Sequence, residues 1–118
     1  MNLEQNQPEI PAQDLTGKTI GDYRVIRRLG RGGMAQVYLA EQLSLRRNVA
    51  LKVLHANLSG DPSYIERFRR EAQSAAGLVQ ANIVQIYEVG EVEGYHFIAQ
   101  EYVAGRNLRQ YLGRYGAV

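Results

Sequence analysis

Val49-Ala50-Leu51-Lys52-Val53-Leu54 is a run of strand-forming apolar residues interrupted by one lysine. In an extended chain Leu51 and Val53 share one face, and Ala50, Lys52 and Leu54 share the other. Both faces are therefore apolar, as in a strand covered on both sides. Burying a lysine costs several kcal/mol unless an anion accompanies it. Lys52 either points to solvent from an edge strand or is held by an anionic partner, and the apolar faces favour the partner.

Upstream, Tyr23, Val25 and Leu29 alternate with Arg24, Arg27 and Arg28 as in a half-buried strand, with Ile26 breaking the rhythm. Gly30-Arg31-Gly32-Gly33 follows, and then Val37-Tyr38-Leu39-Ala40 forms a second strand. A glycine-rich turn between two strands predicts a hairpin. The stretch Leu29-Gly30-Arg31-Gly32-Gly33-Met34-Ala35-Gln36-Val37 offers backbone N–H donors with little Cβ obstruction, which suits a phosphate. A flexible hairpin tip needs the same glycines. A dinucleotide loop must lead into a helix, and here the chain enters a strand. Gly17-Lys18-Thr19 resembles the end of a P-loop, but that spacing requires glycine where Ala12 stands, and no strand precedes it.

Downstream, Asp61 is a good helix N-cap, Pro62 suits the first helical position, and Gly77 or Asn82 closes the helix. Ile65, Phe68, Ala72, Ala75 and Val79 form one apolar stripe. Glu71 lies about 60° around the wheel from Phe68, while Glu66 lies about 140° from Glu71, nearer solvent. A carboxylate at the margin of the stripe is either a surface group or the partner that Lys52 requires. Two strands follow, Ile83–Val92 and Tyr95–Val103, joined by a Glu93-Gly94 turn, and a short helix begins over Leu108–Tyr115. The pattern predicts an α+β fold: a five-stranded antiparallel sheet with one long packed helix, plus the start of a further helix.

At 118 residues the chain is one small domain. Residues 1–16 are rich in Gln, Asn, Glu and Pro and read as a disordered tail. After Asp14 fourteen cations face nine anions, clustered at Arg27-Arg28-Arg31, Arg46-Arg47 and Arg67-Arg69-Arg70. Acidic residues interleave and no aromatic-basic stripe appears, so these clusters read as solvated faces and no nucleic-acid partner is expected. Nothing approaches the roughly 18 apolar residues of a membrane span, and the amino terminus lacks the pattern of a secretory signal. The absence of cysteine excludes disulfides and thiolate metal sites, and it suits a cytoplasmic setting.

Gly30-x-Gly32-x-x-Ala35-x-Val37, then Val49-Ala50-Leu51-Lys52, then Glu71, resembles the small lobe of protein kinases. The nearest resemblance is to the bacterial, eukaryotic-like serine/threonine kinases. It is carried by Gly32-Gly33-Met34-Ala35, Arg67-Phe68-Arg69-Arg70-Glu71-Ala72 and Asn82-Ile83-Val84, and it runs from about Gly17 to Tyr115. It implies a tail over 1–16, a small lobe over 17–104, and a hinge exit with the start of a large lobe over 105–118. It further implies that Gly30, Gly32 and the backbone around Gly33–Ala35 cover the ATP phosphates, with the whole loop from Leu29 to Val37, Arg31 and Gln36 included, as nucleotide-binding. Val37 and Ala50 would roof the adenine. Lys52 would hold the α- and β-phosphates, oriented by an ion pair to Glu71. Gln100 stands at the gatekeeper position, and Glu101 and Val103 would offer backbone groups to the adenine edge, with Tyr102 between them. Ala35 in place of the third glycine and a polar Gln100 depart from the family pattern.

The catalytic base and the magnesium ligands of such a kinase follow the hinge. No aspartate follows Asp61 in this sequence. We expect these 118 residues to hold ATP without transferring phosphate by themselves, with Mg and the protein substrate engaged by the large lobe of a full-length enzyme. The competing expectations are a stand-alone, non-catalytic nucleotide-binding or regulatory module, and, more remotely, another small-molecule phosphotransferase sharing the lobe.

Overall fold

The computed structural model describes residues 14–77 and 85–105, with the backbone alone over 72–77. Six strands form one antiparallel sheet: β1 (Thr19–Ile20), β2 (Tyr23–Arg31), β3 (Ala35–Gln42), β4 (Arg47–Leu54), β5 (Ile86–Val92) and β6 (Tyr95–Glu101). A 3-10 turn (Ala56–Leu58) and helix α1 (Pro62–Gly77) lie between β4 and β5. Spatial order is β1-β2-β3-β4-β6-β5. The five expected strands are present. The sixth is β1, two residues long, which is too short to leave a periodic signal. It pairs Thr19 with Arg24 and Ile20 with Tyr23 around Gly21, whose φ is +58°. The stretch Gly17-Lys18-Thr19 thus turns into a strand and not a helix, which agrees with rejecting the P-loop. The expected helix at Leu108–Tyr115, the Asn82 stop and the Ile83-Val84 start of the fourth strand lie outside the described residues.

β4 is a central strand, paired to β3 on one side and β6 on the other. This accounts for its unbroken apolar sequence and removes the edge-strand reading of Lys52. The two faces of the sheet carry separate cores. On one, Tyr23, Val25, Tyr38, Val49, Leu51, Val53, Phe97 and Ala99 pack together. Leu15 is buried among them, and its N–H donates to the Tyr38 hydroxyl at 3.1 Å. Packed structure therefore reaches at least two residues ahead of the boundary at 17 that composition suggested. On the other face Ala35, Leu54 and Ile98 receive Phe68 from α1, with Met34, Leu58, Ile65 and Ile86 around them.

Two bulges shape β2. Register passes from Val25↔Ala40 to Arg27↔Leu39, and from Arg28↔Tyr38 to Gly30↔Val37. Ile26 and Leu29 are the unpaired residues, so the break in rhythm at Ile26 is the first bulge. The β5–β6 turn has Glu93 at φ 53° and Gly94 at φ 85°, both in the left-handed region that a tight hairpin requires. β6 ends at Glu101, two residues earlier than expected, and Tyr102 and Val103 leave the ladder.

Asp61 caps α1 as anticipated: its Oδ1 accepts from the Ser63 N–H at 2.9 Å and the Ser63 hydroxyl at 2.8 Å. The helix is fastened to the sheet by Phe68, which is fully buried. Phe68→Ala would leave a cavity beneath α1 and cost about 3–5 kcal/mol. The expected result is a lower urea midpoint together with loss of the ordered Glu71 resonance. A midpoint unchanged from the parent chain would refute this account of how α1 is held.

Candidate functional site

Lys52 lies opposite Val37 on β3 and Ile98 on β6, so its side chain shares their face of the sheet, the face that α1 covers. Glu71 comes to it from α1, one helical turn after Arg67 and three residues after the anchor Phe68. Lys52 Nζ and Glu71 Oε2 are 3.4 Å apart, with side chains only 5% and 6% exposed. That distance makes an ion pair but is long for a charge-assisted hydrogen bond, and Glu71 Oε2 has no hydrogen-bond partner among the described residues. Burial pushes the lysine's pKa below its ordinary value, opposed by Glu71. Burial likewise pushes the carboxyl up, opposed by Lys52. Each charge is maintained against burial by the other.

Beside this pair Val37 and Ala50 are fully buried and form a small apolar cluster with Leu29 and Tyr102. Leu29 reaches it because the second bulge takes that residue out of the alternation. Gln100, 2% exposed, stands opposite Ala50 and closes one end. Glu101, the next residue and the last of β6, is tied to Gln85: its N–H donates to the Gln85 carbonyl at 2.8 Å and its Oε1 accepts from the Gln85 N–H at 3.2 Å. Val103 follows just outside the ladder.

The glycine-bearing hairpin overhangs the same face. Gly30 pairs with Val37 and Arg31 with Gln36, and Gly32 N–H donates to the Ala35 carbonyl at 2.8 Å. Only Gly32, Gly33 and Met34 lie off the ladder. A Cβ built on Gly33 meets nothing within 4 Å, so no packing within the lobe demands glycine there. Not every side chain of the loop serves one face. Gln36 is buried on the opposite side, accepting from Arg28 Nη1 at 3.0 Å, and Met34 packs toward Phe68. Sequence reasoning missed Tyr102 as a wall of the slot and His55 at the end of β4. Neither belongs to a recognisable spacing. His55 is separated from the glycines by an entire strand pair.

The arrangement is an apolar slot ending in a buried cation, beside a hairpin whose tip carries the Gly33 and Met34 N–H groups off the ladder. An aromatic base with a polyphosphate tail fits that donor set. Among the described residues no group of His, Asp or Glu is placed to hold a metal ion.

Comparison with known proteins agrees with this geometry. The protein kinase domain family matches residues 23–118. Serine/threonine-protein kinase PrkC of Bacillus subtilis is 50% identical over 99 residues, which are 83% of this chain and 15% of that protein. Serine/threonine-protein kinase PknB of Mycobacterium leprae is 51% identical over 85 residues, covering 69% of this chain and 14% of that protein. The crystal structure of the Mycobacterium tuberculosis PknI kinase domain superposes with a TM-score of 0.61 at 35% identity, over 81% of this chain and 39% of that domain. The chain thus spans a small part of its relatives' length, and the part it spans holds the bulged glycine hairpin, the lysine strand and the helix that pairs with it. By sequence and by fold this chain belongs to the protein kinase domain family.

Proposed function

We propose that this lobe binds ATP, as the nucleotide-holding part of a serine/threonine kinase that transfers phosphate to protein hydroxyls. The observation that carries the proposal is the buried Lys52–Glu71 pair lying beside an apolar slot and beneath the glycine hairpin. In this reading the adenine enters between Leu29, Val37, Ala50 and Tyr102, with Gln100 behind it. The Glu101 N–H is already engaged by Gln85, so Glu101 would contribute its carbonyl to the adenine edge, and Val103 its backbone groups. The Gly32 N–H is likewise engaged, by the Ala35 carbonyl, so the backbone N–H groups at the hairpin tip, Gly33 and Met34, would face the phosphates, with Gly30 and Gly32 letting the chain lie close over them. Lys52 would hold the α- and β-phosphates, at an angle set by Glu71.

Phosphoryl transfer breaks the bond between the γ-phosphorus and the bridging oxygen and forms one to a protein hydroxyl. The lobe's part is to orient the nucleotide and neutralise charge on it. Magnesium bound with the ATP would neutralise further phosphate charge, and its protein ligands would come from a large lobe. A protein Ser or Thr is the proposed substrate, and the cysteine-free composition fits a cytoplasmic setting.

The test is a titration of the 118-residue chain with MgATP followed by amide NMR. Shifts are expected at Gly32, Gly33, Val37, Ala50, Lys52 and Val103, with Leu45 on the far β3–β4 loop unmoved. Shifts confined to the exposed arginines, or none at all, would remove the proposal.

A further inference from the structure

His55 directly follows β4, three residues beyond Lys52, and it makes two contacts to the glycine hairpin. Its backbone N–H donates to the Met34 carbonyl at 2.9 Å, and its ring Nε2 lies 2.9 Å from the Gly32 carbonyl oxygen. A carbonyl only accepts, so Nε2 carries the proton. Nδ1 is buried and has no hydrogen-bond partner among the described residues. His55 also occupies the N-cap of the 3-10 turn yet makes no capping bond with its side chain. The ring forgoes local partners and is committed to the tip of the loop.

That single bond has a directional consequence. In a planar trans peptide the carbonyl and the following N–H point opposite ways. Anchoring the Gly32 oxygen to His55 therefore turns the Gly33 N–H away from His55. The ends of the tip are held by the Gly32 N–H bond to the Ala35 carbonyl and by Met34, but the Gly32–Gly33 peptide between them lies off the ladder, and glycine tolerates many peptide orientations.

We propose that His55 is a positioning residue for the phosphate-covering loop: through Gly32 it holds the Gly32–Gly33 peptide so that the Gly33 N–H is presented to a phosphate of ATP. The inference rests on the nucleotide-binding reading above and adds to it a tether between the loop and the strand that carries Lys52. Because the tether acts on the phosphate side, ATP and adenosine separate its effect from that of the adenine slot.

The experiment compares MgATP and adenosine affinities of the 118-residue chain, by NMR titration, with His55→Leu and His55→Gln. Loss of one neutral hydrogen bond predicts about a five- to tenfold weaker ATP affinity for His55→Leu. Adenosine affinity should stay within about twofold, and His55→Gln, which keeps an N–H donor at similar reach, should recover most of the loss. Equal weakening of ATP and adenosine, or no weakening of either, overturns the inference while leaving the nucleotide site standing. An unsubstituted chain that binds neither ligand overturns both. Should His55→Leu unfold, His55→Asn, polar but too short to reach Gly32, takes its place with the same expected outcomes.

Discussion

Replacing Lys52 by methionine in a complete kinase carrying this lobe is expected to lower kcat/KM for ATP by about a thousandfold, most of it in kcat. Methionine matches lysine in length and lacks its charge, so it fills the same buried channel between Val37 and Ile98. What is lost is a cation that burial has already stripped of water, so it needs little reorganisation when charge builds on the phosphates. Lys52→Arg separates charge from geometry. It retains the positive charge but brings a planar, wider head into a space that is 4% exposed, and we expect it to lose about a hundredfold. Glu71→Gln should cost less, about ten- to a hundredfold, since the ammonium remains and only its orientation loosens. Steady-state kinetics at saturating and limiting ATP decide the matter. A Lys52→Met enzyme with kcat near the parent's would show that Lys52 is merely part of the core.

Much of this site is legible in the residues themselves. The apolar faces of Val49–Leu54 favoured an anionic partner for its lysine over an edge-strand position, and the helical wheel placed one acidic residue, Glu71, at the margin of the apolar stripe. Both inferences rest on strong local constraints, namely a charge in an apolar strand and a 3.6-residue period. The Asp61-Pro62 start of α1 was legible for the same reason, because the cap is a property of adjacent residues. Less accessible were features set by contacts distant in sequence. β1 exists because Ile20 is drawn into the core beside Tyr23, and two residues leave no period to read. Leu15 looked like part of a polar tail, although Tyr38, twenty-three positions away, supplies the hydroxyl that holds its N–H. Leu29 joins the slot through a bulge whose only sequence trace is irregular alternation. His55 reads as an ordinary residue after a strand, and only the folded hairpin brings Gly32 to its ring.

The same ion pair leads to a second large effect, on stability, and of opposite sign to intuition. Taking two charges out of water costs several kcal/mol each, and a contact as long as 3.4 Å offsets this incompletely. The double variant Lys52→Met/Glu71→Leu is therefore expected to be at least as stable as the parent lobe and up to about 3 kcal/mol more so, although it would no longer hold the phosphates. Lys52→Met alone should be worse than either, by about 3 kcal/mol at pH 7.5, because Glu71 is left buried without its cation. The pH dependence of that single variant follows from the direction of the Glu71 shift. Burial raises the carboxyl's folded-state pKa above its unfolded value, and removing Lys52 raises it further. The folded state then takes up its proton at higher pH than the unfolded state does. Stability rises as pH falls through the folded pKa, and the gain is complete below the unfolded value of about 4.5. Urea melts at pH 7.5 and pH 5 should show the deficit of Lys52→Met shrinking at the lower pH, while the double variant, with neither group left to titrate, stays at least as stable as Lys52→Met at both. A deficit that is the same at both pH values, or a double variant less stable than Lys52→Met, would mean that the pair stabilises the lobe, and a role confined to catalysis would have to be given up.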